Sequence, residues 1–378
     1  MSKENEEISL GLPTKQQTRD LADMRKALQP WLAARIEGAS GLEITDIRIP
    51  TGSGLANETV LLDAAWSESG KPRSEGFVVR IETPEPLFPG TTAERQYLMN
   101  RALADVEGVP VPKVLGLEKG TQVLGAPFYL MERIEGRVPH DDPPFHHRGW
   151  VTEVDTEERH SMFVESIRAM ANLHRVDVGR FDFLNPNNEA DGLRQQVNYY
   201  IDEFDTPINE RHRVIDAGRK WLLDNYPGSP GLGLAWGDAR VGNIIFDKGK
   251  CMAVLDWDMV SLAGAETDLA WWCSFDLSYT VSRNIPRLPG FGNNNEMLAL
   301  WEGFSGRKAQ NFDWHLAFTF YKAAVIVRRL AKLLKKNNQL PPQSAFMENN
   351  NIGVQYLASF LSLESDYPIE TPWPGLDA

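Results

Sequence analysis

Residues 235–247 read AWGDARVGNIIFD and, after a short turn, residues 253–258 read AVLDWD. Asp238 precedes Asn243 by five residues, and Asp256 closes the next apolar run. Phosphoryl transfer needs a carboxylate that orients and deprotonates the acceptor hydroxyl. It also needs oxygen ligands that hold magnesium against the phosphates. Asp238 fits the first role, Asn243 that of a neutral metal ligand through its amide oxygen, and Asp256 that of the charged ligand. Arg240 can offset the charge that spreads over the transferring oxygens if it is held in place. An Asp and an Asn at this spacing are common by chance. Their weight comes from what surrounds them.

Upstream, residues 16–37 put Leu21, Met24, Leu28, Trp31, Leu32 and Ile36 on one face of an amphipathic helix. LEITDIRIP, NETVLLDAAW and GFVVRIE then read as consecutive strands separated by turn residues, which implies an antiparallel sheet. Residues 91–105 turn helical, and VPKVLGLEKG and PFYLMERI return to strand character. Beyond Gly136 the chain changes: a Pro- and His-rich loop precedes helical patterns at 156–175, 192–205, 209–225, 266–279, 312–336 and 343–362. Only NIIFD and CMAVLD read as strands there. The expected class is α+β. Its domains are residues 1–133, a nucleotide-binding lobe with a leading helix, and residues 134–378, a helical lobe with the catalytic loop and acceptor site.

Taken together, these motifs resemble the aminoglycoside phosphotransferase and choline kinase-like family, across roughly residues 40–335. Its catalytic loop runs His-Gly-Asp, four residues, Asn, and its metal aspartate sits in an apolar-Asp-aromatic-acidic motif. The resemblance implies a protein-kinase-like two-lobed fold: a small N-lobe with an antiparallel sheet plus a helix, and a larger, mostly helical C-lobe. It implies ATP and Mg2+ as cofactors. TGSGLANET looks like the family's phosphate loop, with Ser53, Gly54 and Asn57 toward the nucleotide. Arg80 looks like its third-strand basic residue, with Glu94 as the ion-pair partner. Backbone groups near Glu132 and Ile134, in FYLMERIEG, correspond to the adenine contact. Two positions depart from the pattern. Trp236 stands where the family usually has a loop-bracing His. Arg80 replaces a Lys, as in branches that include domains joined to acyl-CoA dehydrogenases, an analogy that points to hydroxy-acid or acyl-derived acceptors.

The net charge of −13 argues against binding nucleic acid through a phosphate-neutralising surface. Two cysteines, Cys251 and Cys273, are too few for a disulfide framework. The polar, acidic start MSKENEEISL lacks signal-peptide character, and the apolar run 318–327 falls short of a bilayer span, so a cytoplasmic protein without membrane contact is expected. His174 reads as a structural histidine and Asp268 as a loop-bracing carboxylate. Trp271 and Trp272 read as core ahead of acceptor-pocket wall. The expected activity is that of a small-molecule kinase moving the γ-phosphate to a hydroxyl acceptor. The alternative is a catalytically weak, pseudokinase-like nucleotide- or ligand-binding module. Neither the acceptor nor the oligomeric state is legible in the sequence.

Overall fold

The computed structural model describes residues 19–50, 58–208 and 210–378. Within these, residues 19–105 and 110–135 form one compact unit and residues 106–109 and 136–378 a second.

In the first unit, helix α1 (Leu21–Ala33) starts where the Asp20 carboxylate accepts the Ala22 and Asp23 N–H groups, satisfying donors that lack intrahelical partners. It buries Met24, Leu28, Trp31 and Leu32. Strands β1 (Ala39–Arg48), β2 (Glu58–Glu68), β3 (Lys71–Ile81), β4 (Val114–Glu118) and β5 (Phe128–Glu132) form an antiparallel sheet in the order β1-β2-β3-β5-β4. Alternation assigns the faces. Val60, Leu62, Ala64, Phe77, Val79 and Ile81 join the α1 side chains in one core. Val78 lies on the opposite face, against Ala93 of α2 (Ala93–Leu103) and Tyr129. Arg80, two residues on, shares that face and pairs in register with Thr59 and Tyr129.

The second unit is mostly helical: α3 (Thr156–Leu173), α4 (Gly192–Tyr200), α5 (Arg213–Asp224), α6 (Ala265–Tyr279), α7 (Asn294–Ser305), α8 (Phe312–Lys336) and α9 (Ile352–Phe360). Every residue of α8 from Trp314 to Ile326 is buried, because α5, α6 and α9 pack around it. The long apolar run is therefore a core helix, and among the described residues no helix is long and apolar enough to cross a membrane. Strands β6 (Ile244–Asp247) and β7 (Lys250–Val254) form a hairpin, whose Phe246 exchanges both backbone hydrogen bonds with Arg137.

Two expectations for this unit change. A helix over 343–362 is instead a short turn of helix (Pro342–Glu348) followed by α9, because Asn351 caps the new helix by accepting the Val354 N–H. The α7 segment escaped the sequence reading, although Asn293 and Glu296 form a capping box at its start.

Candidate active site

All the groups proposed for the chemistry lie in the second unit. The loop 236–243 is held at its base by Asp268, in the first turn of α6. Its carboxylate accepts the Trp236 N–H at 2.6 Å and the Gly237 N–H at 2.7 Å, and contacts His174 Nε2 at 2.8 Å. His174 in turn accepts the Trp301 indole N–H at 2.9 Å. His174 and Asp268 are thus buried structural groups. Gly237 has φ +93°, and a Cβ there would lie 2.0 Å from the Met259 carbonyl oxygen, so both conformation and space demand glycine.

The indole of Trp236, the departure from the family's His, donates to the carbonyls of Leu255 at 2.8 Å and Asp256 at 3.2 Å. The fully buried ring therefore ties the loop to the segment that carries the second carboxylate. A further tie runs from the Leu255 N–H to the Asn243 carbonyl, 2.9 Å, continuing the β6–β7 ladder. Asp256 has φ +65°, a left-handed conformation that Asp tolerates better than most residues. One of its carboxylate oxygens accepts the Asp258 N–H at 3.2 Å.

Asp238 is fixed by side chains from three directions. Trp271 of α6 donates its indole N–H to Oδ1 at 2.8 Å, while Asn243 Nδ2 and Arg240 Nε donate to Oδ2 at 2.7 and 2.9 Å. Burial works to raise its pKa, but the Arg240 charge and these hydrogen bonds outweigh it and hold the carboxyl below its ordinary value. The side chain remains 13% exposed. With its NH2 turned to Asp238, Asn243 directs its amide oxygen away from the carboxylate.

Arg240 is equally constrained. Its Nη1 meets Tyr279 Oη at 3.2 Å and forms an ion pair with Asp141, which also accepts the Tyr279 hydroxyl at 2.6 Å. Its Nη2 hydrogen-bonds to no described residue. Beneath the loop, the fully buried Lys322 of α8 donates to the Gly237 carbonyl at 3.0 Å, with its ammonium 4.0 Å from the Trp271 ring centroid. Burial lowers its pKa to about 8, against the pull of Asp268 and Asp238. Sequence reasoning set Trp271 aside as core and missed Lys322, Tyr279 and Asp141. A lone lysine inside the apolar run FTFYKAAVIV was the available signal for Lys322.

Three of the nucleotide-side residues, Ser53, Gly54 and Asn57, lie outside the described residues. In the first unit, Arg80 donates to Thr59 Oγ1 at 2.7 Å. The expected Arg80–Glu94 pair is corrected: Glu94, in the first turn of α2, pairs with Lys119 at 2.5 Å, while the Arg80 guanidinium turns to Thr59. At the end of β5, the Glu132 N–H and side chain are both engaged by Lys113, whereas the Ile134 backbone makes no hydrogen bond to a described residue. Among the described residues no three His, Cys, Asp or Glu side chains gather into a metal cage.

A model of the phosphotransferase enzyme family matches residues 49–290 of this sequence, more than half of the chain. The chain belongs to that family. Its kinase-like fold is shared with a protein from Ralstonia eutropha described as an aminoglycoside phosphotransferase, with TM-score 0.65 and 23% identity over 90% of this chain and 99% of that one. It is shared also with a spectinomycin phosphotransferase in complex with ADP and spectinomycin, with TM-score 0.53 and 12% identity over 92% of this chain and 100% of that one. Among curated proteins, the mouse (Mus musculus) acyl-CoA dehydrogenase family member 10 is 26% identical over 68% of this chain. The match spans 24% of that protein, and 40% of the family member 11 protein of Pongo abelii, so this phosphotransferase-family chain corresponds to a minor part of each.

Proposed function

We propose that this chain transfers the γ-phosphoryl group of ATP, taken as its magnesium complex, to a hydroxyl of a small molecule. The observation that carries the reading is the Asp238 carboxylate: ionised, partly exposed, and held at both oxygens by Trp271, Asn243 and Arg240. Such a group orients an alcohol without needing to move. The acceptor oxygen bonds to the γ-phosphorus as the bond from that phosphorus to the bridging oxygen breaks. The hydroxyl proton passes to Asp238, and ADP leaves. A carboxylate with a lowered pKa is a weak base, but a loose phosphoryl-transfer transition state asks mainly for alignment and charge compensation.

Arg240, whose Nη1 and Nε are spent on Asp141, Tyr279 and Asp238, presents Nη2 toward the transferring oxygens without reorganising. The Asn243 amide oxygen and the Asp256 carboxylate are hard oxygen donors of the kind Mg2+ takes one or two at a time, the remainder coming from phosphates and water. Magnesium held by these two groups would offset charge on the phosphates. Arg80 and the Ile134 backbone are assigned to the nucleotide phosphates and the adenine edge by the motifs they occupy, and a spectinomycin phosphotransferase of the same fold is found in complex with ADP.

The test is ADP release with γ-labelled ATP and a panel of neutral and charged alcohols, in wild type and Asp238→Asn. Transfer should fall by at least about a hundredfold in the variant, the usual size of a general-base effect, with nucleotide affinity spared. Undiminished transfer would remove Asp238 from the mechanism. Nucleotide binding without transfer to any acceptor, water included, would make the chain a binding module.

A further inference from the structure

Beside the loop 236–243 lies a crevice lined mostly by rings. Trp272, Phe275 and Tyr279 reach it from one face of α6, Phe163 from α3, and Phe145 and Phe291 from the adjoining loops. Arg240 and Val241 belong to the same lining, so the crevice adjoins the side chain that grips Asp238. The rings brace one another: Phe145 lies 5.2 Å from Phe291 and 5.8 Å from Tyr279, and Phe275 lies 5.5 Å from Tyr279 between centroids. Gly292 permits this, since a Cβ there would meet the Phe163 ring at 2.6 Å.

The charges of the wall are each paired within the protein, with only Arg240 Nη2 left open. Arg240 is paired with Asp238 and Asp141. Asp276 accepts from Arg287 Nε at 3.3 Å. His146 is driven down to about 3 by burial and the Arg287 charge, so it is neutral near pH 7, and its Nδ1 accepts the Leu288 N–H at 3.2 Å. An ammonium entering here would meet the like charge of Arg240, whose guanidinium already lies 5.3 Å from the Phe275 ring centroid, and a carboxylate would shed water for an arginine that Asp238 and Asp141 already neutralise, whereas a hydrocarbon group would gain from burial against the rings. The free volume of about 20 Å3 suits one methyl-sized group or ring edge.

Resting on the phosphotransferase reading above, we propose that the acceptor carries its hydroxyl beside a hydrocarbon flank, alkyl or aryl, with neither ammonium nor carboxylate on that side, and that this aromatic crevice receives the flank. A polycationic amino sugar, which presents ammonium groups around its hydroxyls, does not fit.

The test separates binding from transfer. Saturation-transfer NMR on the full chain without nucleotide uses isobutanol and benzyl alcohol, which present a methyl group and a ring edge, as apolar probes, and choline and kanamycin as cationic ones. The two apolar alcohols should bind, and Phe291→Ala should weaken them by roughly threefold to tenfold, the range expected when one ring contact is lost. Phe163→Leu is the second variant should Phe291→Ala not fold. Tighter binding of choline or kanamycin, no binding of either apolar alcohol, or affinities unchanged in both variants overturns the proposal. Apolar alcohols that bind but receive no labelled phosphate from ATP leave the crevice assignment standing and count against phosphoryl transfer.

Discussion

At the scale of single residues, the site is an exercise in holding one carboxylate still. Asp238 accepts from three side chains, and each donor is itself fixed: Arg240 by Asp141 and Tyr279, Asn243 by the loop, Trp271 by its place in α6. Lys322 sits below them, bonded to the Gly237 carbonyl and facing Tyr200 and Trp271 as well as the charges of Asp238 and Asp268. Its buried pKa of about 8 lies below the 10.5 of a free lysine. In the window between these values the unfolded chain binds the proton and the native chain does not, so stability rises with pH there. The rise from this one group is at most about 3 kcal/mol, by 1.36 kcal/mol per unit. Urea denaturation of wild type and Lys322→Met at pH 7.5 and pH 10 checks it. The wild type should gain on the variant as pH increases, and parallel curves would mean that Lys322 does not titrate in that window.

At the scale of elements, close approaches fix which segments can meet. Gly353 opens α9 against α8, and a Cβ there would lie 2.3 Å from the Ala324 backbone nitrogen. Gly237 is crowded just as closely, but inside the catalytic loop. Gly353→Ala should therefore lower stability by about 1–3 kcal/mol, the usual cost of overpacking, while turnover per folded molecule is kept. Gly237→Ala should lose turnover. Denaturation curves and transfer assays on both variants distinguish these outcomes, and a normal rate in Gly237→Ala would contradict the account of the loop.

The elements that were legible in the sequence are those whose burial follows a simple period. Strand-like runs between turn residues marked β2 and β3, three-and-four spacing marked α1, and long helical patterns marked α3 and α8. What was not legible depended on contacts distant in sequence. Trp271 reads as one more aromatic in an apolar helix until the fold brings it to Asp238, 33 residues away. The Glu94–Lys119 pair likewise required β4 to be placed beside α2.

At the scale of the molecule, the chain combines two compact units. The helical unit carries Asp238, Asn243, Asp256 and the aromatic crevice. The sheet unit carries Arg80 and the Ile134 backbone. The C-terminal segment is part of the helical core, since Trp373 packs 4.9 Å from the Phe320 ring and 5.6 Å from that of Tyr356. If the two units serve one reaction, nucleotide and metal must bind the folded chain together, and binding to the native state raises its melting temperature. The most direct measurement is the shift in melting temperature on adding millimolar ATP, with Mg2+ and then with excess chelator, for wild type and Asp256→Asn. The account predicts a rise in the wild type that needs Mg2+, is reversed by the chelator and is largely absent in Asp256→Asn. No shift in the wild type, or the same Mg2+-dependent shift in both proteins, would contradict it.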